Sequence, residues 1–315
     1  MPPSDGLATV INAQNPCGME DRAVPSPSAR SRRLAAELLR LREAAGVSRE
    51  QAAERLGWSV SKLWRVETAR SRAHHGDVAD VLDIYGISGA QREDLIRLAR
   101  QARQRGWWHS YADVLAEGFD VYVDLEAEAS SIRTYEAQVV PGLLQTAEYA
   151  RAVLSAAWVR IEPEEIERRL AVRMRRQELA AGRAKPLQLW AVLDEAVLRR
   201  EVGGRLVMRA QLHRLAEAGR QTNVTLQVLP FRVGAHIAML GSFVLLSFPE
   251  QADADVVYLE SDTSSLYLEE PQQIGRYGEV FDHLRATALS PRESLGLIDA
   301  VAAEYAEEEA GNDRT

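Results

Sequence analysis

Residues 59–70, "SVSKLWRVETAR", gather hydrogen-bond donors and an aromatic ring on one short segment. Val60, Leu63 and Val66 recur at i, i+3 and i+6, a spacing that lays one helix face on a core. Ser61, Lys62, Trp64, Arg65 and Arg70 point elsewhere. Guanidinium, ammonium and indole N–H groups donate and do not accept, so acceptor-rich or anionic surfaces are their partners. A solvated helix face seldom spends a tryptophan among basic residues. Trp64 is open to three roles: core, nucleic-acid contact or partner surface.

Chemistry of other kinds is sparse. The six histidines (74, 75, 109, 213, 236 and 283) show no metal-binding spacing, and adjacent His74 and His75 cannot share a helix face. The one cysteine, Cys17, excludes an internal disulfide or a cysteine-rich zinc site. No glycine-rich phosphate loop follows a strand, and the "GSF" after "GAHIAML" is not a nucleophile elbow. Asp194 and Glu195 end a strand-like run, where a carboxylate is either catalytic or a cap for the next helix. We expect no enzymatic activity, no metal and no cofactor.

The donor segment needs neighbours to hold it. From Ser28, five short helices can be written. "SARSRRLAAELLRLREAAG" puts Leu34, Leu38 and Leu41 on one face and stops at Gly46. "SREQAAERLG" starts at Ser48, with Gln51 completing a capping box, and stops at Gly57. The donor helix starts at the Ser59 cap and runs over 59–69. "GDVADVLDIYG" and "SGAQREDLIRLARQARQRG" follow, giving a small all-α domain over 28–105.

Two helices joined by the tight "LGWS" turn, after a longer first helix, match helix-turn-helix geometry. In that geometry the second helix enters the major groove and presents its N-terminal residues to base edges. Charge follows the same division. Residues 28–105 carry 16 Lys and Arg against 10 Asp and Glu, whereas residues 106–315 carry 21 against 33. A basic module on an acidic body is the asymmetry of a tethered nucleic-acid binder, although the whole chain has net charge −8.

At 315 residues there is room for about two domains with real cores. Residues 1–27 are rich in Pro, Ser, Asn and Gly without apolar period and read as a disordered leader, with Met19 a candidate start. They lack the pattern of a signal peptide, and the longest apolar stretch, 237–248, is too short and interrupted to span a bilayer. A cytoplasmic protein without membrane contact is expected, on the nucleoid when DNA-bound. Over 106–315 a mixed α+β domain with about five strands is expected: 187–193, 224–230, 242–248, 255–261 and 265–270. The segment around 105–154 reads as helical with a break at Pro141-Gly142.

"GVSREQAAERLGWSVSKLWRVETAR" resembles the Cro/cI-type (XRE) helix-turn-helix family, through its spacing, Ala52 and Ala53 at the helix crossing, Gly57 and the closing Val-Glu. The resemblance implies a lambda-repressor-like fold and double-stranded DNA as partner. It makes Arg49 a phosphate contact and puts Val60, Ser61 and Arg65 at base-reading positions, flanked by Lys62, Trp64 and Arg70. Arg65 would then pair with guanine O6 and N7, and Val60 would meet a thymine methyl or simply pack. Ser59 caps the helix, whose N–H groups would meet a phosphate. Arg42 and Glu67 sit where the family has a buried ion pair. The family usually has a small polar residue at position 64, so Trp64 departs from the pattern and is expected at the groove-facing side. A homodimer on a near-palindrome is expected.

The body, through "RGWWHSYAD", "LEAEASSIRTYEAQVVPGLLQTAEYARAV", "LDEAVLRREVGG" and "VTLQVLPFRVGAH", is similar to the C-terminal domain of actinobacterial XRE regulators. Two lysines against 36 arginines suit a GC-rich genome of that kind. The resemblance implies an antitoxin-like transcriptional regulator with a small companion protein encoded nearby. Trp107, Trp108, Tyr111 and Tyr135 are read as a junction that packs the domains, or lines a pocket for a small-molecule effector or partner. The alternative to a DNA-binding regulator is an interaction protein whose C-terminal domain binds the companion or ligand, with DNA binding secondary.

Overall fold

The computed structural model describes residues 29–312 apart from 72, 103–105, 117, 158–159, 250–254 and 262–263. The leader expected over 1–27 lies outside the described residues.

Five helices come first: α1 (Ala29–Ala44), α2 (Arg49–Leu56), α3 (Val60–Glu67), α4 (His75–Ile84) and α5 (Gly89–Ala102). Each boundary has a local cause. Ser48 accepts from the Gln51 amide while the Gln51 side chain accepts from Ser48, and Gly57 ends α2 at φ 64°, a conformation that favours glycine. Ser59 caps α3 by accepting from the Lys62 amide. Leu34, Leu38 and Leu41 of α1 join Ala52, Ala53, Leu63 and Val66 in one buried core with α4 and α5. The two alanines let α2 cross close to its neighbours.

The remainder is a mixed sheet wrapped by helices. In chain order it comprises α6 (Phe119–Glu128), β1 (Ser131–Glu136), α7 (Ala147–Ala156), α8 (Pro163–Ala181) and β2 (Gln188–Asp194). Then come α9 (Glu195–Arg199), α10 (Arg205–Ala218), β3 (Val224–Leu229), β4 (Phe243–Ser247), β5 (Val256–Glu260), β6 (Ser265–Leu268), α11 (Pro271–Thr287) and α12 (Pro291–Asn312). The strands lie in the order β3-β2-β1-β4-β5-β6. β1, β2 and β3 are parallel, and β4, β5 and β6 continue antiparallel. Helix-connected parallel strands and hairpin-connected antiparallel ones thus share one sheet.

Among the described residues the sheet has six strands, against about five expected; the additional one is β1, which lies in a segment read as helical and sits at the sheet centre between β2 and β4. Ile132 faces one core and Tyr135 the other. With both faces covered, the polar–apolar alternation of a half-exposed strand disappears. The larger core lies beneath α6, α7, α10 and α12, the smaller one beneath α11.

The two parts touch through α1. Arg30 pairs with Glu128 at 2.8 Å, and Arg32 pairs with Glu269 at 3.1 Å while standing over the Phe248 ring. Among the described residues, no helix is long and apolar enough to cross a membrane.

Candidate nucleic-acid interface

α3 divides cleanly into two faces. Leu63, Val66 and Glu67 are buried, whereas Val60, Ser61, Trp64, Arg65 and Thr68 are exposed. Steps of one and four residues put the exposed set on one stripe starting at the helix N-terminus. Val60 and Trp64 count among the large apolar side chains left open to solvent, at 42% and 36%.

The polar members of the stripe are held in place. Arg65 Nη1 donates to Ser61 Oγ at 2.8 Å, which fixes the exposed side chain along the helix. Arg70 stands 4.9 Å from the centre of the Trp64 ring, a cation–π pair. The chain turns there at Ala69, whose φ of 56° is in the left-handed region. Lys62 is directed off the stripe: its Nζ sits 3.6 Å over the Trp58 ring and 3.4 Å from Asp77.

Behind α3 a buried carboxylate ties three helices. Arg42 Nε donates to Glu67 Oε1 at 2.7 Å, and Arg49 Nε donates to Glu67 Oε2 at 2.8 Å. The Tyr85 hydroxyl approaches Oε1 at 3.3 Å, and burial beside that carboxylate raises the phenol well above its ordinary range. Arg42 also donates to the Val47 carbonyl. Arg49, expected at a phosphate, therefore shares the structural pair. The resemblance named only Arg42 and Glu67 for that pair, and a capping-box sequence gives no hint of the third member.

The aromatic set expected at the junction does not come together. Trp107 through Tyr111 form a 3₁₀ turn in which Trp108 is buried and its Nε1 donates to Asp124 of α6 at 2.8 Å. Trp107 meets Tyr111 edge-on, and Arg168 of α8 covers Tyr111. These contacts are packing within the sheet domain. Tyr135 lies in the separate core beneath α11, its hydroxyl directed to Asp194 and His236. Asp194 caps α9, accepting from the Ala196 amide at 2.9 Å. Among the described residues, no three His, Cys, Asp or Glu side chains are grouped to hold a metal.

Residues 33–95 match the helix-turn-helix domain family, the stretch that holds α2, the turn and α3. Residues 119–300 match the domain of unknown function (DUF5753). No curated protein and no solved structure matches the chain.

Proposed function

The chain belongs to the family of the domain of unknown function (DUF5753) and carries a helix-turn-helix domain ahead of it; we propose that it is a sequence-specific, DNA-binding transcriptional regulator reading the major groove with α3. One observation carries this reading: the exposed stripe of Val60, Ser61, Trp64 and Arg65 begins at the N-terminal end of the second helix of the motif. That is the part of a recognition helix that reaches base edges. Arg65, steadied by Ser61, presents its free donors to guanine O6 and N7. Ser59 ends the turn so that the first amides of α3 face a phosphate. Lys62 reaches a phosphate only by leaving Asp77, and Arg49 offers only what remains after Glu67.

Selection of bound sites from random duplex DNA with the whole chain tests the reading. A shared near-palindrome with half-sites about one helical turn apart is the expected result, and it would place a homodimer on DNA. Recovery of no common sequence would overturn it.

A second reading has its own support. The connection from β3 to β4 leaves Phe231, Ile237, Met239 and Leu240 exposed. Such a surface suits the companion-protein binding and antitoxin-like role of an interaction protein. Retention on DNA resin at moderate salt, set against co-purification of a neighbour-encoded protein, separates the two. In both readings the chain performs no catalysis.

A further inference from the structure

The large apolar side chains described in α1–α5 are buried or half-buried, with two exceptions: Val60 and Trp64 of α3. They stand four residues apart and form one row of the exposed stripe. Ser61 and Arg65, each one residue further on, form the row beside it. Leu63 and Val66 already supply what α3 gives to the core, so the domain needs neither exposed side chain to fold. An apolar group left in water forgoes the stabilisation of burial, and two on one row mark a contact surface with an apolar component.

A duplex has few apolar groups to offer that surface. Base edges in the major groove carry donors and acceptors, apart from the methyl group on C5 of thymine. Cytosine methylated at C5 presents the same group in the same place. Guanine presents O6 and N7 together, the pair that an arginine fork fits. Arg65 keeps donors for that pair after Nη1 has given a hydrogen to Ser61. Successive bases of one strand lie about 3.4 Å apart along the axis, so neighbouring rows of one helix meet neighbouring bases. The methyl group of a pyrimidine on the 5′ side of guanine overhangs the O6 and N7 edge, where it touches a guanidinium lying in the guanine plane.

We propose that α3 reads a 5-methylpyrimidine followed by guanine, with Arg65 on the guanine and with Val60 and Trp64 closing on the methyl group. Arg70, 4.9 Å from the centre of the Trp64 ring, braces the indole from the far end of the row. The methyl group has two sources, thymine and 5-methylcytosine, and the apolar row accepts either. Plain cytosine, which lacks the group, is rejected at this position. Methylation of a cytosine therefore creates a site without any change of base sequence, and the protein registers the methyl group itself.

This inference rests on α3 reading the major groove, and its test starts from the duplex that the whole chain selects. In one set, each thymine 5′ to guanine is replaced by deoxyuridine, which removes the methyl group alone. In a second set, the same thymine–adenine pair becomes cytosine–guanine, with and without the 5-methyl group. Affinity, followed by fluorescence anisotropy of labelled duplex, should fall about fourfold per half-site on loss of the methyl group in either set, the worth of one such group taken out of water. The first set reports thymine as the source and the second 5-methylcytosine. Val60→Ala and Trp64→Ser change exposed side chains, and circular dichroism should show both variants folded. Each should bring the ratio of methylated to unmethylated affinity towards one, whereas Lys62→Ala should weaken all duplexes and keep the ratio. The proposal is overturned if the selected site has no thymine 5′ to guanine, if uracil and cytosine bind as well as their methylated forms, or if the ratio survives both apolar substitutions. A selected site indifferent to the methyl group defeats this inference and leaves the DNA-binding reading standing; selection of no site defeats that reading and this inference with it.

Discussion

In the helical domain, Glu67 is matched oxygen by oxygen, Arg42 on one and Arg49 on the other, with Tyr85 close by. In the sheet domain, Arg176 pairs with Glu126, whereas the buried Glu136 has the hydroxyls of Thr134 and Ser242 and, among the described residues, no arginine or lysine within 4.0 Å. Both regions bury charge, but only the first closes its network. A closed network has no capacity left for a ligand, and its work is to hold α1, α2 and α3 in register. A buried carboxylate without a cation keeps its proton instead, and burial raises Glu136 accordingly. The exposed stripe of α3 can be rigid because the carboxylate behind it is fully used.

Breaking the closed network should have the largest effect. Glu67→Gln leaves the buried Arg42 and the half-buried Arg49 facing a neutral amide, and loss of one partner of a buried pair costs about 3–5 kcal/mol. Urea unfolding followed by circular dichroism should show the α1–α5 transition shifted to low denaturant, with the sheet-domain transition in place. A loss below about 1 kcal/mol would make Glu67 an ordinary surface pair and end the contrast.

The open network makes a prediction in pH, and its direction follows from Glu136. An ordinary glutamate titrates near 4.3, so the folded state at about 8 keeps a proton the unfolded chain has already lost. The stabilisation is complete below the ordinary carboxylate range and disappears as pH rises through about 8. Glu260, also raised by burial, acts in the same direction, while Glu37 and Asp83, held low by arginines, act oppositely and at lower pH. Subtracting the wild-type stability from that of Glu136→Gln isolates the group. The difference should grow in favour of the variant between pH 5 and 8; a flat difference would mean Glu136 is ionised in the folded protein.

How far each region could be read in advance follows the same division. The α2–α3 unit announces itself locally, because Ser48 with Gln51, Gly57 and Ser59 each fix a boundary within four residues. β1 announces nothing: "SIRTYE" has both faces covered, and its Ala- and Glu-rich flanks read as helix. The cluster on the sheet face opposite α11 was beyond reach for a related reason. Tyr122, Glu136 and Arg176 meet only because the parallel β1–β2 pairing brings α8 back over β1, and no local pattern encodes that return. Arg49 shows the limit even in the legible part, since its place in the motif gives no sign that Glu67 claims it.

On the exposed stripe the expected effects are smaller and need DNA to be seen. Arg65→Ala should lose about 1–3 kcal/mol of discrimination at one base position while leaving unfolding unchanged. Lys62→Ala should weaken all duplexes alike and reduce the salt dependence by about one phosphate contact. Competition binding against single-base variants of the selected site separates the two; equal losses on specific and random DNA for both would remove base reading from α3. Ser59→Ala removes the acceptor of the Lys62 amide and should cost about 1 kcal/mol of stability, measured by urea unfolding.

Trp64 is the most delicate case, because its ring belongs to neither core. Its stacking with Arg70 at an exposed site is worth about 0.5–1 kcal/mol, so Trp64→Ser should barely move the unfolding curve. If the indole faces the groove, its N–H donates to a phosphate and its ring lies on sugar or a thymine methyl. Trp64→Ser then lowers affinity and alters site preference, and Trp64→Phe, which keeps a ring without the donor, falls between. A serine variant with unchanged affinity and preference would leave Trp64 only the task of steadying Arg70, and base reading on the stripe would narrow to Val60, Ser61 and Arg65.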